Sequence, residues 1–318
     1  MNTLELKKIA NEVRKGIVTA VHSAKAGHPG GSLSAADIYT YLYFEEMNVD
    51  PKNPEAPDRD RFVLSKGHTA PGYYATLAHK GYFPVEDLVK FRHINTYLQG
   101  HPCMQHVPGV DMSSGSLGQG ISAAVGMAIS AKLTNDDYRV YTLLGDGEIE
   151  EGQVWEAAMY AAAKKLDNLV AFVDNNNLQI DGSVEEVNSP YPIPEKFAAF
   201  GWNVIDINGN DHQQLKDAFS TLSQNKKPTV IIANTVKGCG IPFMENDILW
   251  HYRFPHDGWE YDTAVTELHK NKPVGVEDTY TPDGIENPVM PTENDDIFND
   301  HTTSATWKPT WMNEREEN

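Results

Sequence analysis

The chain has 318 residues, 40% hydrophobic and 22% charged, which supplies a sizeable core and excludes a collagenous, disulfide-scaffold or wholly disordered protein. Its 26 basic against 45 acidic residues leave a net charge of −19. This argues against nucleic acid as a partner, since phosphate backbones demand a basic face. No stretch approaches the roughly 18 apolar residues of a membrane span, and the start, MNTLELKKIA, lacks a signal-peptide core. The two cysteines, Cys103 and Cys239, lie far apart without metal-ligand spacing. They fit a reducing, cytoplasmic location and structural thiols.

Leu6, Ala10, Val13, Ile17 and Val21 recur at helical spacing and predict a first helix. It runs into the loop Ala26-Gly27-His28-Pro29-Gly30-Gly31. A second, amphipathic stretch follows from about Ser34 to Met47, then a proline- and acid-rich loop from Asn48 to Asp60. Arg61–Ser65 reads as a short buried strand ending at Lys66-Gly67-His68. Gly115-Ser116-Leu117-Gly118-Gln119-Gly120 opens a helix of small residues, Ile121 to Leu133, whose composition implies close packing against another backbone.

Val140–Leu144 is a second buried strand, ending at Gly145-Asp146-Gly147. The apolar stripe Val154, Ala157, Ala158, Ala161 and Ala162 predicts the next helix, and Leu169–Val173 a third strand ending at Asp174-Asn175-Asn176-Asn177. Strand, helix, strand with short connections is the unit of a parallel sheet. Two further strands, Asn203–Ile207 and Thr229–Thr235, flank a helix opened by Asp211. Beyond about Asn271 proline, acids and polar residues take over, and an extended surface tail is expected. Trp307 and Trp311 argue against complete disorder there, since such rings seek an apolar groove, for instance on a partner chain. The expected division is therefore a domain over 1–270 and an acidic, proline-rich extension over 271–318.

Ligands of parallel α/β sheets collect at the carboxyl ends of the strands, where His68, Asp146 and Asn176 fall. Asp146 sits between glycines, and Asn176 lies thirty positions later at the end of the next strand. One carboxylate and one amide oxygen, with a backbone carbonyl, suit Mg²⁺, leaving octahedral positions for phosphate oxygens and water. A helix expected just after the aspartate would add N-terminal amides for an anion. The two together make a diphosphate cradle in an acidic protein. A lone Gly-Asp-Gly is often only a turn; strand, GDG, helix, strand, NN at this spacing is far more specific.

That segment, Gly145-Asp146-Gly147 through Asn175-Asn176, resembles the motif of thiamine diphosphate (ThDP) enzymes. GHPGGSLS from Gly27, SKGH from Ser65, GHP from Gly100, GSLGQG from Gly115, GDGEIEEGQVWEA from Gly145 and DNNNLQIDG from Asp174 narrow the resemblance to transketolase. It covers residues 1 to about 260, the N-terminal, diphosphate-binding half of that family, so the chain resembles the N-terminal subunit of a split transketolase. The resemblance implies an α/β, parallel-sheet ThDP-binding fold with helices on both faces. It also implies a ketol transferase of carbohydrate metabolism that moves a two-carbon unit from a ketose (phosphate) to an aldose.

The metal, Mg²⁺ with Ca²⁺ or Mn²⁺ as alternatives, would take Asp146, Asn176 and the carbonyl of Leu178. The cofactor would meet His68, Gly115, Leu117, Gly145, Asp146, Gly147, Glu148, Glu151, Asn176 and His251, with Gly147 offering its amide to the diphosphate. Glu151 also matches a glutamate placed between two cofactor sites. His28, His68, His101 and His251 carry the catalytic expectation: His28 and His101 toward ketose hydroxyls, His68 and His251 near the diphosphate. Each histidine alone reads better as a surface or satisfied core residue; three of them in Gly-His loops reverse that. Imidazole suits proton movement near neutral pH.

After His251 comes Tyr252, where relatives commonly have glycine, a change at the lip of the pocket. Cys239, in Lys237-Gly238-Cys239-Gly240, lacks the signs of an activated thiolate. The glutamate that activates the cofactor belongs, in the family, to a pyrimidine-binding domain absent here. A C-terminal, pyrimidine-domain partner subunit is therefore expected in an α₂β₂ assembly, carrying most of the grip on a substrate's anionic end. Alternatives left open are a specialised ketose, branched or sulfonated; 1-deoxyxylulose-phosphate synthase or a 2-oxoacid dehydrogenase; and a non-catalytic scaffold of the same fold. The GHPGGSLS and GHP histidines favour transketolase over the other enzymes. A nicotinamide-binding reading fails for want of G-x-G-x-x-G after the first strand.

Overall fold

The computed structural model describes residues 1–222 and 226–270; the expected tail over 271–318, with Trp307 and Trp311, lies outside them. The first helix is α1 (Thr3–Ser23). Its capping box pairs Glu5 N with Asn2 Oδ1 at 2.9 Å and Asn2 N with Glu5 Oε2 at 2.8 Å, satisfying two amides that a helix start leaves unpaired. The stretch expected to be amphipathic differs. Preceded by α2 (Pro29–Ser34), which is helical where a loop is expected as far as Gly31, it breaks into α3 (Ala36–Tyr41) and a π turn over Leu42–Glu46, and every residue of α3 is buried. Its polar residues face partners inside: Asp37 takes Arg14 Nη2 at 2.6 Å and His212 Nε2 at 3.1 Å. A polar residue in a helical pattern reads as solvent-facing until its buried partner is known.

The remaining elements, in chain order, are β1 (Arg61–Leu64), α4 (Ala70–Lys80), α5 (Gly120–Thr134), β2 (Val140–Gly145), α6 (Gly152–Ala163) and β3 (Leu169–Asn175). An unanticipated hairpin comes next, β4 (Leu178–Gln179) against β5 (Gly182–Ser183). Then come α7 (Val184–Asn188), α8 (Ile193–Phe200), β6 (Asn203–Asn208), α9 (His212–Ser220), β7 (Thr229–Asn234) and α10 (Trp259–Lys270). As the sequence predicts, Asp211 caps α9, accepting from Gln213 N and Gln214 N.

Five strands form one sheet in the order β1-β2-β3-β7-β6, every pair parallel. Period-two alternation divides their side chains between two cores. Tyr141, Leu143, Val170, Phe172, Ile231 and Ala233 pack with α1, α3, α4 and α9 residues on one face. Val140, Leu144, Ala171, Val173, Val230 and Ile232 pack with α5, α6 and α8 residues on the other. Strands buried on both faces read as continuous apolar runs, as these do. Each fully buried side chain of this kind contributes roughly 1.5–3 kcal/mol. The strand order turns back between β3 and β7, and there the carboxyl ends of β1, β2, β3 and β7 open onto one cavity, the place where such sheets bind ligands.

Candidate active site

The cavity holds about 310 Å³ and gathers residues from across the chain. His28 comes from the loop before α2, Lys66 and His68 from the end of β1, and Asp146 from the end of β2. Asn176 follows β3, Leu178 opens the β4–β5 hairpin, Lys237 follows β7, and His251 ends a short turn, Ile248–His251. His101, Gly115, Leu117, Gly145, Gly147 and Glu148 complete the predicted residues on its wall. Glu151 is not on that wall. It is exposed, at the N-cap of α6.

β2 and β3 run side by side with Gly145 opposite Asp174, so the two ends lie together. Asp146, 3% exposed, accepts from Asn176 N at 2.8 Å and also from Asn177 N, while its other oxygen accepts from Gly147 N at 2.9 Å. Burial, then the neighbouring Asp174, push its carboxyl up to about 6, against the opposing pull of Lys237 and the amides. A buried carboxylate at the carboxyl edge of a parallel sheet, with hydrogen-bond-accepting capacity to spare, suits a divalent cation.

Two expectations change here. No helix starts directly after the aspartate: a single 3₁₀ turn, Glu148–Glu150, intervenes, and α6 begins at Gly152. The positive end of a helix is therefore not aimed from that position. The Gly147 amide, expected to face a diphosphate, points back to the Asp146 carboxylate.

Positive charge is supplied instead by two buried lysines that sequence reasoning left without a role. Lys66 Nζ pairs with Asp174 and donates to Gly31 O at 3.1 Å. Lys237, 3% exposed, donates from Nζ to Leu178 O at 2.6 Å and to His251 Nδ1 at 3.0 Å. Since the ammonium can only donate, His251 accepts at Nδ1, and in its neutral form its proton sits on Nε2. Burial lowers Lys237 to about 8. The signal available was its position, just past the carboxyl end of a buried strand.

The histidines cluster. His28 and His68 have ring centroids 4.9 Å apart, His28 and His251 5.6 Å, and His68 and His251 stack at 5.7 Å. His101 lies on the same wall. Burial is the main cause lowering each, followed by nearby charge. Arg92 acts first after burial on His28, brought to about 3, and on His101; Lys237 does so on His251, also about 3; His68 is lowered well below its usual value. All four are neutral at pH 7. As bases titrating near neutrality they are poorly poised; as hydrogen-bonding groups they are well placed. Among the described residues, His28 Nδ1 is buried without a partner, open to a hydroxyl.

Glu148 lines the wall, but its carboxylate is already engaged. Oε1 accepts from Ser65 Oγ at 2.5 Å and Gly118 N at 2.9 Å, and Oε2 from Gly145 N at 3.0 Å. It ties the 115–119 loop to the ends of β1 and β2.

The donors fit a hard cation that keeps non-protein ligands. Among the described residues no cluster of three or more His, Cys, Asp or Glu side chains could hold a metal. One carboxylate, the Asn176 amide oxygen and the Leu178 carbonyl leave the rest of a shell to phosphate oxygens. Lys237 donates to the Leu178 carbonyl in this structure.

The family described as transketolase, thiamine diphosphate binding domain, matches residues 6–253. A 6-deoxy-6-sulfo-D-fructose transketolase subunit from Clostridium sp. (strain MSTE9) is 44% identical over 84% of this chain and 97% of its own length. One of the subunits of apulose-4-phosphate transketolase from Phocaeicola vulgatus is 43% identical over 84% of this chain and 94% of its own. Rat transketolase is 42% identical over 77% of this chain, but only 39% of its own length is covered. The crystal structure of Campylobacter jejuni transketolase superposes with a TM-score of 0.79 at 32% identity, over 86% of this chain and 43% of that one.

Proposed function

The chain belongs to the transketolase family, as its thiamine diphosphate-binding domain, and from that premise we propose that it is the N-terminal subunit of a two-chain, Mg²⁺-dependent transketolase that transfers a two-carbon ketol unit from a ketose to an aldose. The observation that carries this reading is the meeting of Asp146, Asn176, Leu178 and four histidines on one cavity. A scaffold would have no use for that set. When bound, thiamine diphosphate supplies the electron sink that lets a carbon–carbon bond beside a carbonyl break and re-form.

The chain's own residues bind and orient. Asp146, Asn176 and the Leu178 carbonyl hold the divalent ion. Lys237, with His68 and His251, offers donors to the diphosphate. Gly115 and Leu117 face the cofactor rings. His28 and His101, neutral and half-buried or exposed, accept from and donate to sugar hydroxyls, and so orient the ketose.

Coverage of nearly the whole length of the two named subunits, against 39% of rat transketolase, supports a separate partner carrying the pyrimidine domain, in an α₂β₂ complex. Leu117 and Ile180 line the cavity yet are 38% and 60% exposed, apolar surface suited to burial against another chain. A specialised sugar is the second reading. It is favoured by the names of these relatives and by Tyr252, half-exposed beside His28. Co-expression with the partner, followed by ThDP binding with and without Mg²⁺ and a ketol-transfer assay over a panel of ketoses, tests both. Metal-independent binding without transfer contradicts the proposal.

A further inference from the structure

Arg92 is held in a manner its neighbours explain only in part. Its backbone is left-handed, φ 62°, a conformation that residues with side chains adopt rarely and that persists where the surroundings impose it. Arg92 N donates to Leu98 O at 2.9 Å. The guanidinium lies flat on Gly100, where a Cβ would come within 2.9 Å of Nε and 3.2 Å of Nη2. Nε is thereby buried without a partner. Phe91 and Tyr252 flank the charge at 5.4 and 5.8 Å from their ring centroids, and Nη1 donates to the Tyr252 hydroxyl at 3.3 Å.

Tyr252 in turn packs on His28, with ring centroids 4.7 Å apart. Among the described residues no carboxylate comes within ion-pair distance of Arg92, although acids outnumber bases 45 to 26 in the chain. Arginines placed for stability alone usually find a carboxylate in so acidic a protein. This one is preorganised instead by glycine, aromatic rings and a phenol, with the terminal N–H groups that Tyr252 does not take left to meet an anion. Its charge reaches both His28 and His101, the two histidines assigned to sugar hydroxyls.

We propose that Arg92, held by Tyr252, is a specificity-determining residue that donates to the oxyanion of an anionic ketose entering beside His28 and His101. This rests on the transketolase reading and places part of the anion grip on this chain rather than on its partner. It also answers an electrostatic difficulty: a chain with a net charge of −19 repels anionic sugars, and a local cation beside His28 and His101 offsets that field. Phosphate and sulfonate share the chemistry that such a fork reads.

The test uses the assembled two-chain complex saturated with ThDP and Mg²⁺. KM and kcat are measured for a 6-phosphorylated ketose, a 6-sulfonated ketose and an uncharged ketose, in the wild type, Arg92→Gln, Arg92→Lys and Tyr252→Phe. The expected result is a KM raised about tenfold or more by Arg92→Gln for one or both charged donors, with kcat and the uncharged donor's KM nearly unchanged. Arg92→Lys restores part of the loss, and Tyr252→Phe shows a smaller loss of the same charge dependence. Whichever charged donor suffers more identifies the preferred anion. KM values that shift equally for charged and uncharged donors, or that stay unchanged for all, in an active complex overturn this inference alone. A wild-type complex that transfers no ketol unit from any donor overturns the functional reading and this inference with it.

Discussion

Three backbone amides meet the Asp146 carboxylate, from Gly147, Asn176 and Asn177, and among the described residues no cation lies within ion-pair distance. Amides can hold a carboxylate in place but cannot neutralise it, which is why the proposed ion is assigned to this group. Replacing Asp146 with asparagine should weaken Mg²⁺-dependent ThDP uptake by about two to three orders of magnitude, measured by calorimetric titration of the complex; uptake within a few-fold of wild type would show that the ion sits elsewhere. Lys237→Met removes a buried ammonium whose hydrogen bonds to a charged group are worth about 1.5–3 kcal/mol. ThDP affinity should fall about tenfold to a hundredfold in the same titration. The meeting of Asp146 and Asn176 at one cavity was legible in the sequence because small polar residues at the ends of apolar runs announce their location. Lys237 and Arg92 were less so: most lysines and arginines are solvated, and only Lys237 had a local signal, its place just past the carboxyl end of a buried strand.

Glu148 joins three segments at once, the end of β1 through Ser65, the 115–119 loop through Gly118 and the end of β2 through Gly145. Glu148→Ala leaves those donors unpaired, which should cost about 2–4 kcal/mol of stability in denaturant titration; a cost below about 1 kcal/mol would mean the loop is held by other contacts. The close approach falls not within the expected helix, where Gly126 meets nothing within 4 Å, but at Gly120, which the sequence places in the preceding loop and which is the first residue of α5. A Cβ on Gly120 would lie 2.5 Å from Ser65 Cα, so Gly120→Ala must push α5 away from the end of β1. Overpacking against backbone should cost about 1–3 kcal/mol, read from the same titration. β1, β2, β3 and β7 were legible from their apolar runs, β6 from the shorter set Val204, Ile205 and Ile207, and α5 and α6 from their small-residue stripes. The start of α6 was misplaced because Gly-Asp-Gly suggests a turn without fixing the next element; the apolar period itself begins only at Val154. The β4–β5 hairpin has two residues per strand, too few for any alternation to register.

Burial lowers His22, His28, His68, His79, His101 and His251, with His79 at about 4. The unfolded chain binds protons that these rings refuse when folded, so stability is full above about pH 6.5 and is lost as the pH falls towards 3–4. At pH 5 a fully buried histidine costs about 2 kcal/mol, while Asp146, raised to about 6, offsets part of that loss. The thermal midpoint should therefore fall between pH 6.5 and 5, before most carboxylates titrate; a flat profile over that range would contradict the buried, neutral cluster. Leu117 and Ile180 leave apolar surface exposed at the cavity, so the chain by itself should bind ThDP weakly and turn over no ketose. No helix among the described residues is long and apolar enough to cross a membrane. The most direct test of the whole account is a crystal structure of the two-chain complex grown with ThDP and Mn²⁺, the ion located by its anomalous signal. The expected result is one ion about 2.0–2.3 Å from an Asp146 carboxylate oxygen, Asn176 Oδ1 and the Leu178 carbonyl. An ion bound elsewhere, or a bound cofactor with Asp146 still facing only its amides, would contradict it.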